Sequence, residues 1–379
     1  MPSLPEIPTA FLLDFLTKLL NTPSPTGFAE PAISFTEQTL RSFPDISTGS
    51  RQARPASSGQ ALSMARTRKG ALVVTLRGDP STELRQAQPG GPGGDGARAV
   101  TAHVDTLGAM VKEIKSNGRL KLTRIGGFPW NTIEGEGCTV FTRSGRQVRG
   151  SILLTKASSH VFGQEVGEMK RDEETLELRL DARTMSELET LDLGVQVGDF
   201  VAFDPRVELN AGFVRSRHLD DKACVAALVT AVKALSDAGL KPARTTHLLI
   251  SNYKEVGHGA AAGIPADVEE LLVVDMAAVG EGQNSDEFHA SLCVKDSGGP
   301  YHHGMSERLR SLAEKHAIPY KVDIYPQYGS DGEAWWKAGA DAAVALIGPG
   351  VDASHNYERT HTEALLATTR WVLAYLLEE

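Results

Sequence analysis

Two hydrophobic periods share this chain, and one is enclosed by the other. Between about 113 and 208 the runs KLTRI, CTVFTR, GSILLT, TLELRLDA and GDFVAFD alternate apolar and polar residues between Gly-rich turns, with room for one short helix near 184–192. Such alternation marks half-buried strands, and a close series of them makes a small all-β module. On either side the pattern lengthens. Strands are expected at 70–77 (GALVVTLR), 97–103 (ARAVTAH), 246–251 (THLLIS), 271–275 (LLVVD) and 341–347 (DAAVALI). Helices are expected at 221–236, where Cys224, Leu228, Val232 and Leu235 repeat and Gly239 follows, at 305–316 after the PYHHG turn, and at 363–377 through Leu365, Val372 and Leu376. Strands alternating with helices predict an α/β fold, a mixed sheet flanked by helices. The economical architecture is one α/β domain formed by 1–112 and 209–379, with the β domain 113–208 inserted into it. The segment DPSTELRQAQPGGPGGDG, 79–96, is expected to be a mobile surface loop.

Charge and cysteine use exclude several function classes. The net charge is −9 and no basic run offsets it, which argues against nucleic acid and anionic membranes as partners. Cys138, Cys224 and Cys293 stand far apart with no CxxC pair, which suits a reducing cytoplasm and excludes a thiolate metal site. The early apolar run AFLLDFLTKLL is too short to span a bilayer and lacks a basic leader before it. It reads as an amphipathic helix, with Leu12, Phe15, Leu16 and Leu19 on one face and Asp14 paired to Lys18 on the other.

Histidines and carboxylates gather where strand patterns stop: His103 and Asp105 in AHVD, Asp220 and Asp221 in HLDDK, Glu255 in YKEVGHG, Asp275 in VVDMA and His361 in RTHTE. Open α/β sheets bind ligands at the carboxyl ends of their strands, and strands ending near 103, 251 and 275 would bring His103, Glu255 and Asp275 to one edge. Each residue alone has a plainer reading: Asp220 as a helix N-cap, Asp275 as a turn former, the histidines as hydrogen-bonded structural groups. Together they form a nitrogen and oxygen donor set suited to Zn, Co or Mn, large enough for two divalent ions bridged by a carboxylate. Asp105, two residues past His103, can orient a ligating imidazole.

These residues carry a resemblance. SPTG at 24–27, AHVDTLGAMV at 102–111, LDDK at 219–222, EVGHGAA at 255–261, VVD at 273–275, GSDG at 329–332 and RTHTE at 359–363 run in the order of metallopeptidase family forty-two, the tetrahedral or deblocking glutamyl aminopeptidases. The resemblance implies a zinc-exopeptidase-like mixed sheet with an inserted small β-barrel, a cytoplasmic aminopeptidase acting on short peptides, and dimers that assemble into dodecamers. It implies that His103 and Asp275 bind one metal ion, that Glu255 and His361 bind the other, and that Asp220 bridges them. Asp105 matches the orienting acid, and Ser330 and Asp331 are expected to line the substrate pocket. TRKGALVVTL and IGGFPWNTIEGE further resemble a bacterial branch linked to an acetylated glutamine dipeptide osmolyte.

One position departs from the pattern. The family carries Glu-Glu before VG, the first as general base, whereas this chain has Lys254 and Glu255. An ammonium cannot accept a proton, so Lys254 stands at the base position without the chemistry of one, unless neighbouring dications drive it to the neutral amine. Two other readings therefore accompany the aminopeptidase: a metal-binding but catalytically impaired scaffold or regulatory subunit, and an amidohydrolase of an osmolyte dipeptide. His302 and His303 are expected to be solvated or to face substrate, and Trp335 and Trp336 to be buried.

Overall fold

The computed structural model describes residues 4–44, 62–78 and 96–378, so the segment 79–95 expected as a loop lies outside the described residues. Four parallel strands form the centre of a large mixed sheet: Thr246–Ser251, Ala97–His103, Val268–Val274 and Ala343–Asp352, in that spatial order. Ala97–His103 is buried along its whole length, as a parallel strand covered on both faces should be. Leu62–Arg66 and Leu72–Leu76 extend one side antiparallel. Glu358–His361, Phe213–Ser216 and Glu208–Asn210 extend the other. Ala290–Asp296, which was not among the strands expected, runs antiparallel to Ala343–Asp352 and parallel to Tyr320–Ile324, which was not expected either.

The helix Leu219–Ala238 is buried through almost all of its length because its Ala, Val, Leu and Cys residues surround the axis rather than forming one stripe. It packs against the sheet and against the helices Thr9–Leu20 and Thr362–Leu377. Gly239 closes it in the left-handed conformation at φ 65°, the usual use of glycine after a last helical turn. None of the described helices is long and apolar enough to cross a membrane.

Six strands, Gly108–Ile114, Leu120–Ile125, Leu176–Leu180, Gln147–Leu154, Gly137–Phe141 and Phe200–Phe203, close into a barrel. Its interior is a separate apolar cluster including Val111, Leu122, Cys138, Ile152, Leu178 and Val201. The barrel's first strand begins at Gly108, earlier than the expected 113, and its last ends at Phe203, before 208. Asp204 turns outward there to pair with Arg149, and the chain from Glu208 rejoins the main sheet.

Lys222 is buried on the long helix and donates to the Thr22 carbonyl at 2.7 Å. Burial pushes its amine down to about 7. The unfolded chain binds more protons than the folded one between that value and the ordinary 10.5, so this lysine makes stability rise with pH across that window. Lys222→Met is expected to melt at a higher temperature than the natural protein at pH 7, with the gap narrowing by up to about 1.4 kcal/mol per pH unit towards pH 10. Thermal unfolding of both proteins across that range, at fixed metal content, checks it. A gap that does not change with pH would contradict it.

Candidate metal centre

His103 is the last residue of its strand, Lys254 and Glu255 lie in a short turn shortly after Thr246–Ser251, and Asp275 directly follows Val268–Val274. Those three strands are neighbours and parallel, so their carboxyl ends present these side chains along one edge. Asp220 and Asp221 come from the start of the helix Leu219–Ala238, where neither has helical dihedrals, and are joined by a cis peptide bond. The turn between Ala343–Asp352 and Glu358–His361 adds His355. His218, Tyr253 and His355 all adopt left-handed backbone, with φ of 74°, 66° and 64°. Such conformations cost free energy in residues with a Cβ and gather where a site requires a particular chain path. Gly348 lets the neighbouring strand approach, since a Cβ there would lie 1.8 Å from the Asp275 carbonyl oxygen.

Two groups of potential ligands result, His103 with Asp220 and Asp275, and Asp220 with Glu255 and His355, the donor atoms of each group within 4.8 Å of one another. Asp220 serves both. Its Oδ1 lies 3.1 Å from His103 Nε2, and its Oδ2 lies 3.3 Å from His355 Nε2, which is 3.6 Å from Glu255 Oε2. The Lys254 ammonium stands inside the first group, 3.3 Å from Asp220 Oδ1 and 3.0 Å from Asp275 Oδ2.

Buried hydrogen bonds hold these groups in place. Asp105 accepts from the Thr26 hydroxyl at 2.6 Å and from the backbone N–H groups of Lys254 and Glu255 at 3.2 Å each, and its Oδ1 lies 3.3 Å from His103 Nδ1. His103 Nδ1 also pairs with the Asp105 backbone carbonyl at 3.0 Å, so Asp105 positions the imidazole through its main chain and carboxylate together and, through the carboxylate, the turn that carries the next two residues. Glu358 accepts from the backbone N–H of Asp220 at 3.1 Å and of His355 at 2.9 Å. His355 Nδ1 pairs with the Gly127 carbonyl, which belongs to the segment between two barrel strands. A ligating histidine commonly donates its second nitrogen to such a carbonyl or carboxylate.

The electrostatics express an excess of buried negative charge. Burial, then the nearby Asp220 charge, pushes Glu255 up to about 7 and Glu358 up to about 8. Burial and the Asp275 charge raise Asp221 well above the carboxylate range. Burial opposes the charge on His355, yet its contact with Asp220 and the charge of Glu255 raise it to about 9. Burial also opposes the Lys254 charge, but Asp220, Asp275, Glu255 and Asp221 outweigh it and hold the amine well above its ordinary value.

Of the residues expected from sequence, His103, Asp220, Lys254, Glu255 and Asp275 come together over Asp105. His361 does not join them. Its ring packs against Phe213 and Phe288 with centroids 4.9 and 5.1 Å away, and its Nδ1 accepts from the Glu363 N–H at the start of the last helix. The antiparallel register that sets His361 opposite Phe213 accounts for this, and His355, six residues earlier, takes the expected place. Ser330 and Asp331 also have other partners. The Asp331 carboxylate accepts from the Ser251 and Thr101 hydroxyls and from the Ala260 N–H, tying strand ends together. Ser330 caps its own helix and shares a hydrogen bond with Tyr301. His302 caps the helix His303–Lys315 through Met305, and Trp336 donates to the Ala342 carbonyl. His355 and Glu358 were not among the expected residues, although SHNYE carries a His and a Glu three apart just before RTHTE, where the two are only two apart, and that was a usable signal.

The donor set fits divalent ions. Asp220 Oδ2, Asp221 Oδ1 and Glu255 Oε1 are buried oxygens without hydrogen bonds, and such atoms are costly unless a cation satisfies them, as the Lys254 ammonium does for Asp275 Oδ2 at 3.0 Å. Nitrogen and carboxylate donors with no thiolate suit Zn, Co or Mn. Fold and site together define an α/β protein with a candidate divalent-metal ligand set at the carboxyl edge of its sheet.

Comparison with known proteins narrows this class. The M42 glutamyl aminopeptidase family matches residues 87–370. YhfE of Bacillus subtilis (strain 168), an aminopeptidase by name, is 43% identical over 365 residues, 96% of each chain. The lysyl aminopeptidase of Pyrococcus furiosus is 23% identical over 60% of this chain and 65% of its own. Among solved structures, aminopeptidase APDkam598 of Desulfurococcus kamchatkensis superimposes with a TM-score of 0.80 at 21% identity, covering 98% of this chain and 96% of its own. The TET1 peptidase of Pyrococcus horikoshii, described as assembling into a tetrahedron or a large octahedral shell, gives 0.78 at 21% identity over 97% and 100%. The chain belongs to the M42 glutamyl aminopeptidase family.

The geometry separates the two histidines. His355→Ala is expected to lower divalent-ion affinity sharply and His361→Ala to leave it unchanged, as read by titration calorimetry with Zn or Mn. Asp105→Asn, which removes the negative charge from the acceptor shared by His103 and the 254–255 turn, is expected to weaken binding by roughly 10- to 100-fold. Equal losses from the two histidine variants would contradict the assignment.

Proposed function

We propose that the protein is a metal-dependent aminopeptidase that hydrolyses N-terminal residues of short peptides. The observation that carries this reading is the pair of ligand groups sharing Asp220 at the carboxyl edge of the sheet. Asp220, Glu255 and His355 would hold a divalent ion, and His103, Asp220 and Asp275 offer a second set of like donors at which the Lys254 ammonium stands; Zn, Co or Mn suit such donors. Metal bound there supplies an activated water and a Lewis acid for the scissile carbonyl. Asp105 keeps the His103 ring and the Glu255 backbone in position, and the Gly127 carbonyl does the same for His355.

Lys254 limits the rate. Its ammonium is held by Asp220 and Asp275 and has no lone pair with which to take a proton from water. Turnover slow for this class follows, and this contact also supports the reading of the chain as a catalytically impaired homologue. The assembly of fold neighbours such as the TET1 peptidase of Pyrococcus horikoshii into closed shells supports a homo-oligomer, from a dimer up to a dodecamer, with the barrel available as an interface.

Chelation followed by reloading with Zn, Co or Mn should abolish and restore release of amino acids from short peptides with free N-termini, and N-acetylated peptides should be poor substrates. Lys254→Glu puts a carboxylate at the base position, and general-base catalysis contributes about 10²- to 10⁴-fold. The variant is expected to gain kcat of that order. Activity that survives chelation would refute the metal-dependent reading, and preference for blocked N-termini would favour an amidohydrolase.

A further inference from the structure

The two ligand groups are filled differently by the chain's own atoms. In the first, Asp220 Oδ1 already faces His103 Nε2 at 3.1 Å and the Lys254 ammonium at 3.3 Å. Asp275 Oδ1 accepts from the Met276 N–H at 2.8 Å and from Lys254 at 3.3 Å, while its Oδ2 lies 3.0 Å from the same ammonium. In the second group, Glu255 Oε1 and Asp220 Oδ2 make no hydrogen bond. His355 Nε2 faces Asp220 and Glu255 at 3.3 and 3.6 Å, and among the described residues no lysine or arginine lies within ion-pair distance of Glu255.

We infer that the Lys254 ammonium is the resident cation of the His103–Asp220–Asp275 group, so that the protein holds a single exchangeable divalent ion, at Asp220, Glu255 and His355. The inference rests on the metal-binding reading proposed above. Its warrant is steric and electrostatic. A divalent ion bound by carboxylate oxygens and a histidine nitrogen sits ~2.0 to 2.2 Å from them. Such an ion would lie in contact with a nitrogen that is itself about 3 Å from two of those donors, and a monocation and a dication repel strongly at that separation in a buried place. Lys254 has little room to withdraw. It is 9% exposed, its backbone N–H is tied to Asp105 at 3.2 Å, and the Tyr328 ring lies 5.3 Å from the ammonium. The lysine thus provides part of the charge balance that a second dication would provide, with a group that can donate hydrogen bonds but cannot bind water as a Lewis acid.

The test is metal stoichiometry in the full-length protein, which does not depend on turnover. Natural protein and Lys254→Met are stripped with chelator, reloaded with Mn or Zn, freed of excess metal by gel filtration and analysed by plasma mass spectrometry. The expected result is one ion per chain in the natural protein and two in the variant. Two ions in both, or one in both, would overturn the inference while leaving the metallopeptidase reading intact. No ions in either would remove both. Should Lys254→Met not fold, electron paramagnetic resonance of the Mn-loaded natural protein decides instead. The hyperfine pattern of an isolated ion supports the inference, and an exchange-coupled pair overturns it.

Discussion

A concentration of buried negative charge around Asp220 is the constraint on which the rest of this structure depends. Asp105, Asp220, Asp221, Glu255, Asp275 and Glu358 are all enclosed where the sheet's strands end, against few cations. Taking charges out of water is costly unless partners are close and well placed, and removing one partner leaves the others uncompensated. The fold meets that demand through backbone donors from the 254–255 turn and from Asp220 and His355, through two histidines, and through Lys254. Several carboxylate oxygens remain without hydrogen bonds. A chain that keeps such atoms buried is arranged to receive a cation.

The barrel participates in this arrangement more closely than its separate apolar core suggests. Its Gly127 carbonyl holds the second nitrogen of His355. The preceding Gly126 takes φ +83°, and a Cβ there would lie 2.5 Å from the Leu107 side chain and 3.6 Å from Glu255 Cβ. The insertion therefore reaches the turn bearing Glu255 and the ring of His355, both in the second candidate ligand group.

Much of the α/β framework was legible in sequence because long apolar runs and 3.6-residue stripes survive burial: the strands at 97–103 and 246–251 and the three long helices lie close to their expected places. The strands Ala290–Asp296 and Tyr320–Ile324 were not: the apolar run of the first is short and ends on Lys295 and Asp296, and the second, YKVDI, alternates over only five residues and buries Asp323 rather than its apolar neighbours. At the site, residues at the ends of strands were readable because topology alone brings them to one edge. His355 was not, because it comes from a turn whose left-handed backbone directs its ring, and the adjacent His361 sits in a familiar motif. Ser330 and Asp331 looked like pocket residues on motif grounds, while their hydrogen bonds serve strand ends and a helix cap. The contact of Lys254 with two carboxylates needed three dimensions, since nothing in a linear KEVGHG says which residues its ammonium meets.

The most direct test of this account is an anomalous difference map from crystals grown with Mn or Zn. It predicts one strong peak, bounded by Asp220, Glu255 and His355 at roughly 2.0 to 2.2 Å, with Lys254 in density between Asp220 and Asp275. A peak coordinated by His361, or a second ion between His103 and Asp275 with the lysine displaced, would contradict it.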